Sequence, residues 1–214
     1  MRKWIPLLIV AAAVIASAVV YPSLPDRLPT HWNLRGEVDG WSGRTWGAWM
    51  IPLMILFLWG LMRWLPSIDP RGSNYVKFGG AFEGIMLSVM LFMLGVHAII
   101  LRSALGYPVD VDRLMPVGVG ILLVVIGNLL PRSRPNWFVG IRTPWTLSSD
   151  RVWEKTHRVG GRLFVIGGLL IAAAGLLMGD SKTWVVGVVI AVCALGAVVY
   201  SYLEWRKEKS APAV

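Results

Sequence analysis

The sequence predicts an all-α, polytopic membrane protein with six transmembrane helices, and three observations predict it. Of 214 residues, 56% are hydrophobic and only 15% charged, where a soluble domain carries about 25% charged residues. The apolar excess lies in six long runs, at 4–21, 46–65, 78–101, 114–130, 163–178 and 184–203. Twelve tryptophans is a high count for this length, and indoles collect where a bilayer meets water. A disordered chain is excluded and an ordinary soluble enzyme disfavoured.

A helix needs about 20 residues, within roughly 17–25, to cross the hydrocarbon layer. The run at 163–178 is the shortest, so its helix borrows either Gly160, Gly161 and Arg162 or Gly179 and Asp180. Arg63 falls inside the second run but one turn from its end, where it snorkels. Alternating strands are absent, so a membrane β-barrel is out.

Loop charge orients the bundle. With the N-terminus inside, fifteen Lys and Arg fall on the inner side and six outside. That bias predicts both termini in the cytoplasm, with Trp4, Trp64 and Trp205 at the inner interface and Trp46, Trp49 and Trp184 at the outer one. The net charge of +9 then reflects loop bias rather than nucleic-acid binding. A second reading of the first run stays open. Arg2, Lys3 and Ala16-Ser17-Ala18 resemble a cleavable signal peptide, although the run exceeds the usual apolar stretch of about 7–15 residues. Cleavage would remove one helix without reversing the rest. Cys193, the single cysteine, forms no intramolecular disulfide and excludes a Cys-rich metal site.

Two polar segments carry the information. The outer loop, within 22–45, holds Pro22, Pro25 and Pro29, which favour extended backbone, and Gly36 and Gly40, which permit turns. Trp32 and Trp41 are costly to leave in water, so this loop reads as an ordered extracellular cap. The inner loop, 131–162, is rich in arginine and broken by Pro131, Pro135 and Pro144. Ser148 or Ser149 offers an N-cap and Asp150 suits a first turn. A short amphipathic helix is therefore expected from about 150 to 159, stopping at Gly160-Gly161. Arg151, Lys155, Arg158 and Arg162 would form a basic stripe on it, facing anionic headgroups or an acidic protein surface. Val152, Thr156 and Val159 form the softer face.

The run Leu28-Pro-Thr-His-Trp-Asn-Leu-Arg-Gly-Glu-Val-Asp-Gly-Trp41, after a first membrane helix, resembles the N-terminal domain of unassigned function that accompanies the SdpI family. The run Asn136-Trp-Phe-Val-Gly-Ile-Arg-Thr-Pro-Trp-Thr-Leu-Ser-Ser-Asp-Arg-Val-Trp-Glu-Lys-Thr-His-Arg-Val-Gly-Gly161 looks like that family's C-terminal signature. The resemblance implies a six-helix protein of the bacterial inner membrane. It also implies an immunity and signalling role: resistance to a secreted membrane-active peptide toxin, and capture of a small transcriptional repressor at the membrane. Fold transfers across such families better than ligand. The organisation expected is an N-terminal membrane domain (1–65), a third helix with its connections (66–113), an SdpI-like membrane domain (114–203) and a tail (204–214). The section between about 65 and 114 matches neither motif.

In this reading His31, Trp32, Asn33, Gly36, Asp39 and Trp41 meet a peptide or envelope ligand outside. Asn136, Gly140, Arg142, Thr143, Pro144, Trp145, Trp153, His157 and Arg158 engage lipid or a repressor-like partner inside. Glu83 and His97 are ionisable groups within a span, which are rare and functional candidates by default. Fourteen positions apart, they share roughly one face of the third helix, with Asn128 level with Glu83. A proton or ligand path would make the protein a small transporter. The plainer alternative pairs Glu83 with Arg134 or Arg142 and bonds Asn128 to a neighbouring helix. A lipid-binding envelope factor is a third class.

Catalytic signals are thin. His31, Glu37 and Asp39 lack the spacing of a helical metal pair. Glu154 and His157 sit at i, i+3, but an i, i+4 pair of Glu154 with Arg158 explains them more simply. No G-x-S-x-G, phosphate loop or Ser-His-Asp set occurs. No enzyme activity, cofactor, metal or direct nucleic-acid contact is expected.

Overall fold

The computed structural model describes residues 4–33, 35–179 and 182–210. Among them, six helices are long and apolar enough to cross a membrane, so the six-helix polytopic reading is borne out. In chain order these are α1 (Ile5–Val20), α2 (Arg44–Ile68), α3 (Tyr75–Ala104), α4 (Val111–Leu129), α6 (Asp150–Leu177) and α7 (Lys182–Ser210). A one-turn helix, α5 (Pro144–Ser148), lies between α4 and α6.

The chain is not purely helical. The loop before α2 forms an antiparallel hairpin of β1 (Arg27–Trp32) and β2 (Val38–Gly43). Pro29 brings no N–H to the ladder, and the register slips between Pro29 and His31, as expected of a strand proline at a bulge. Gly36 closes the turn at φ +75°, a conformation open mainly to glycine.

The short inner helix is also revised. Instead of stopping at Gly160-Gly161, it runs on unbroken as the first third of α6. A helical glycine costs about 1 kcal/mol relative to alanine, and tertiary packing overrides that here. A Cβ on Gly161 would fall 2.6 Å from the Gly127 carbonyl oxygen, and one on Gly160 would strike Ile141.

Two packing units result. Helices α1–α3 and the hairpin share a core that includes Ile9, Ala13, Leu28, Ile55, Phe78 and Met90. Helices α4 and α6 are held backbone to backbone by small residues, as membrane helices require where burial from water drives nothing. Gly120 lies against Gly168 and Gly127 against Gly161, each Cβ position within 2.7 Å of the opposite carbonyl oxygen. The repeat of seven keeps these glycines on one face of each helix. Helix α7 packs on α6, with Cys193 Sγ donating to the Leu163 carbonyl at 3.3 Å.

Successive spans run in alternate directions, so the polar segments sort to two ends. At one end Gly36 touches Asp112, which pairs with Lys182. At the other, Asn74 donates to the Pro135 carbonyl at 2.8 Å, and Arg71 pairs with Asp150 at 2.8 Å. Hairpin and inner loop therefore occupy opposite ends of one bundle.

Candidate functional site

The inner loop is tied down by buried polar side chains. Its prolines prevent a regular ladder, so side chains must satisfy the backbone. Asn136 is fully buried. Its Oδ1 accepts from the N–H groups of Phe138 (2.9 Å) and Val139 (2.7 Å), and its Nδ2 donates to the carbonyls of Arg134 (2.9 Å) and Val139 (2.8 Å). Beside it, at the end of α2, the Asp69 carboxylate accepts from Arg71 N (2.7 Å), Tyr75 Oη (2.9 Å) and Trp137 N (2.9 Å). One carboxylate thus joins α2, α3 and the inner loop.

The second anchor is on α6. Trp153 and His157 are fully buried and stacked, with ring centroids 4.0 Å apart. Trp153 Nε1 donates to the Ser133 carbonyl at 3.3 Å. Gly140 lies against this pair at φ +127°, and a Cβ there would fall 2.4 Å from His157 Nε2. Thr143 caps α5 through a reciprocal box with Thr146 and meets Ser201 of α7 at 3.0 Å.

The inner candidates therefore divide. Asn136, Thr143, Trp153 and His157 are buried and Gly140 half-buried; Arg142, Pro144 and Arg158 are exposed and Trp145 half-buried against Tyr202. Arg142 donates to the Trp137 carbonyl at 2.7 Å. On the basic stripe, Arg151, Arg158 and Arg162 face outward, while Lys155 turns inward onto Glu204. Glu154 pairs with Arg134 at 2.7 Å and not with Arg158; the expected i, i+4 pair is replaced by a cross-loop one.

On the hairpin, His31 Nδ1 lies 2.5 Å from Asp39 Oδ1, and both side chains are largely in the open. Asn33 Oδ1 accepts from the N–H groups of Arg35 (2.8 Å) and Glu37 (3.1 Å), and its Nδ2 donates to Glu37 at 2.8 Å. These bonds set the turn in which Gly36 sits. Trp41 is exposed and Trp32 half-buried. Trp32, Asn33 and His31 line a cavity of about 350 Å³ with Asp112, Met115 and Lys182.

Within the spans, His97 is fully buried with Nε2 2.9 Å from Ser17 Oγ, and Ser17 donates to the Ala48 carbonyl at 2.6 Å. This contact joins α1, α2 and α3. The partners expected for Glu83 are engaged elsewhere: Arg134 with Glu154, and Arg142 with Trp137. Asn128 is exposed and donates to the Val124 carbonyl of its own helix at 2.8 Å, not to a neighbouring helix. Sequence reading missed Asp69, Asn74, Tyr75, Thr146 and Ser201, which carry no spacing signature. Asp69 beside Pro70 and Asn74 after Gly72-Ser73 read simply as turn formers.

Residues 132–202 match the SdpI/YfhL protein family, and residues 8–56 match a Domain of unknown function (DUF1648). The first match contains the inner loop and the second the hairpin. Over 206 residues the chain is 25% identical to Immunity protein SdpI of Bacillus subtilis (strain 168), covering 96% of this chain and 97% of that one. It is 33% identical over 67 residues to Uncharacterized protein YfhL of the same organism, covering 30% of this chain and 61% of that one. No solved structure matches. Both resemblances read in the sequence are thereby borne out: this is a multi-pass membrane protein whose residues 132–202 are similar to the SdpI/YfhL protein family and whose residues 8–56 are similar to that domain of unknown function.

Proposed function

We propose that the protein is an immunity protein of the bacterial cytoplasmic membrane, protecting against a membrane-active peptide toxin and signalling its presence by holding a repressor-like protein at the inner face. The supporting observation is the end-to-end similarity to an immunity protein, with the two matched regions carrying polar structures at opposite ends of one bundle. The exposed hairpin groups His31, Asp39 and Trp41, with the half-buried Asn33 beside them, meet the peptide, and Gly36 transmits its position to α4 through Asp112. Helix α4 leads into the inner loop, whose buried set (Asn136, Gly140, Thr143, Trp153, His157) fixes its shape. Arg142, Pro144, Trp145 and Arg158, with Arg151 and Arg162, present the surface that meets anionic headgroups and the partner. Both termini lie in the cytoplasm. Outer binding then alters inner affinity, and reciprocally, by one coupling free energy.

Expression in toxin-sensitive cells tests this. The wild-type chain should restore survival and draw a co-expressed regulator to the membrane fraction only when toxin is present. Alanine at Trp145 and Arg158 should abolish recruitment. Survival unchanged by the chain, or recruitment intact in both variants, would overturn the reading.

A further inference from the structure

At the inner-loop end, α1, α2 and α3 leave a groove of about 620 Å³. Its apolar lining includes the buried Met62 and Met86 and the half-buried Trp59, with Trp4 and Val76 exposed at its rim. Two charged groups of opposite sign, Arg63 and Glu83, share this lining. Among the described residues neither makes an ion pair or side-chain hydrogen bond. Arg63 lies five residues from the end of α2, about 8 Å along its axis, and Glu83 eight residues into α3, about 12 Å. At that depth a charge without a partner is costly.

We infer that this groove seats a zwitterionic phospholipid with a primary ammonium headgroup. The guanidinium fork of Arg63 matches the phosphate. An ionised Glu83 offers only acceptors, which suits an ammonium bearing N–H groups. A trimethylated ammonium supplies the charge but no donor, and an anionic headgroup would satisfy Arg63 while setting like charge beside Glu83. Acyl chain runs along Met62, Met86 and Val76. Tyr75 lines the same groove and donates to Asp69, so the lipid seat borders the inner-loop anchor.

The test uses the full chain, delipidated in detergent and titrated with phosphatidylethanolamine, phosphatidylcholine and phosphatidylglycerol of identical acyl chains, with bound lipid counted by native mass spectrometry. Phosphatidylethanolamine should bind about tenfold tighter than the other two, a difference of one charge-assisted contact. Glu83→Gln should erase that preference, and Arg63→Gln should weaken both zwitterionic lipids. Glu83→Asp, which keeps the charge, should retain part of the preference and serves if the Gln variant does not fold. Equal binding of all three lipids by the wild type overturns the inference. So does an ethanolamine preference that survives Glu83→Gln, or a glycerol preference.

Discussion

His157 Nε2 accepts the Ile141 N–H at 2.9 Å while its Nδ1 donates to the Trp153 carbonyl at 2.8 Å. The two partners dictate the neutral Nδ1–H tautomer, because a second ring proton would face an N–H. One imidazole thereby fastens the inner loop to α6 with both nitrogens used. His157→Ala would orphan a half-buried backbone N–H and open a cavity under Gly140. Each effect costs on the order of 1–3 kcal/mol. A clear fall in the detergent melting temperature is expected, with faster proteolysis at 136–145. Unchanged melting would contradict the anchoring role.

Asp69 predicts a graded series. Its two oxygens serve three donors, so Asp69→Asn sets an amide N–H₂ against at least one of them. A loss of about 1–3 kcal/mol follows, while Tyr75→Phe removes one donor and costs about 1 kcal/mol. Hydrogen exchange at the Trp137 amide checks this, and protection should fall more in Asp69→Asn than in Tyr75→Phe.

The spans and the pairing of polar segments with bundle ends were legible in the sequence because they rest on length, hydropathy and charge, which are additive along the chain. What the sequence concealed was tertiary. Gly160-Gly161 carries the local signature of a helix stop, and only the backbone of α4 across from it explains why the helix continues. Glu154 has a basic residue at i+4, yet Arg134 reaches it from the loop. Trp153 and His157 share the motif with Arg158, and periodicity does not tell which of them faces the core. The hairpin was visible as extended, turn-rich backbone, but its pairing depends on a turn set by Asn33 and Gly36.

The glycine seam between α4 and α6 yields a prediction with an internal control. A Cβ on Gly168 falls 2.5 Å from the Gly120 carbonyl oxygen, whereas one on Gly187 meets nothing within 4 Å. Gly168→Ala should push the helices apart and lower the melting temperature by several degrees, since overpacking costs about 1–3 kcal/mol. Gly187→Ala should leave it unchanged or slightly raised, alanine being the better helix former. Equal effects from the two would mean that helix propensity, and not backbone approach, sets stability here.

Arg35 and Arg151 are both exposed and sit at opposite ends of the bundle. In a Cys193→Ala background, single cysteines at 35 and 151 offer reactive probes with little disturbance, because neither parent side chain is buried. A membrane-impermeant maleimide added to intact cells should label position 35 and not 151. After permeabilisation both should react. The charge bias of fifteen Lys and Arg against six requires this direction, because basic loops near span ends are retained in the cytoplasm. Labelling of 151 but not 35 in intact cells would invert the topology and move the basic surface away from any cytoplasmic partner. Labelling of both would remove the separation between hairpin and inner loop on which the proposed coupling depends.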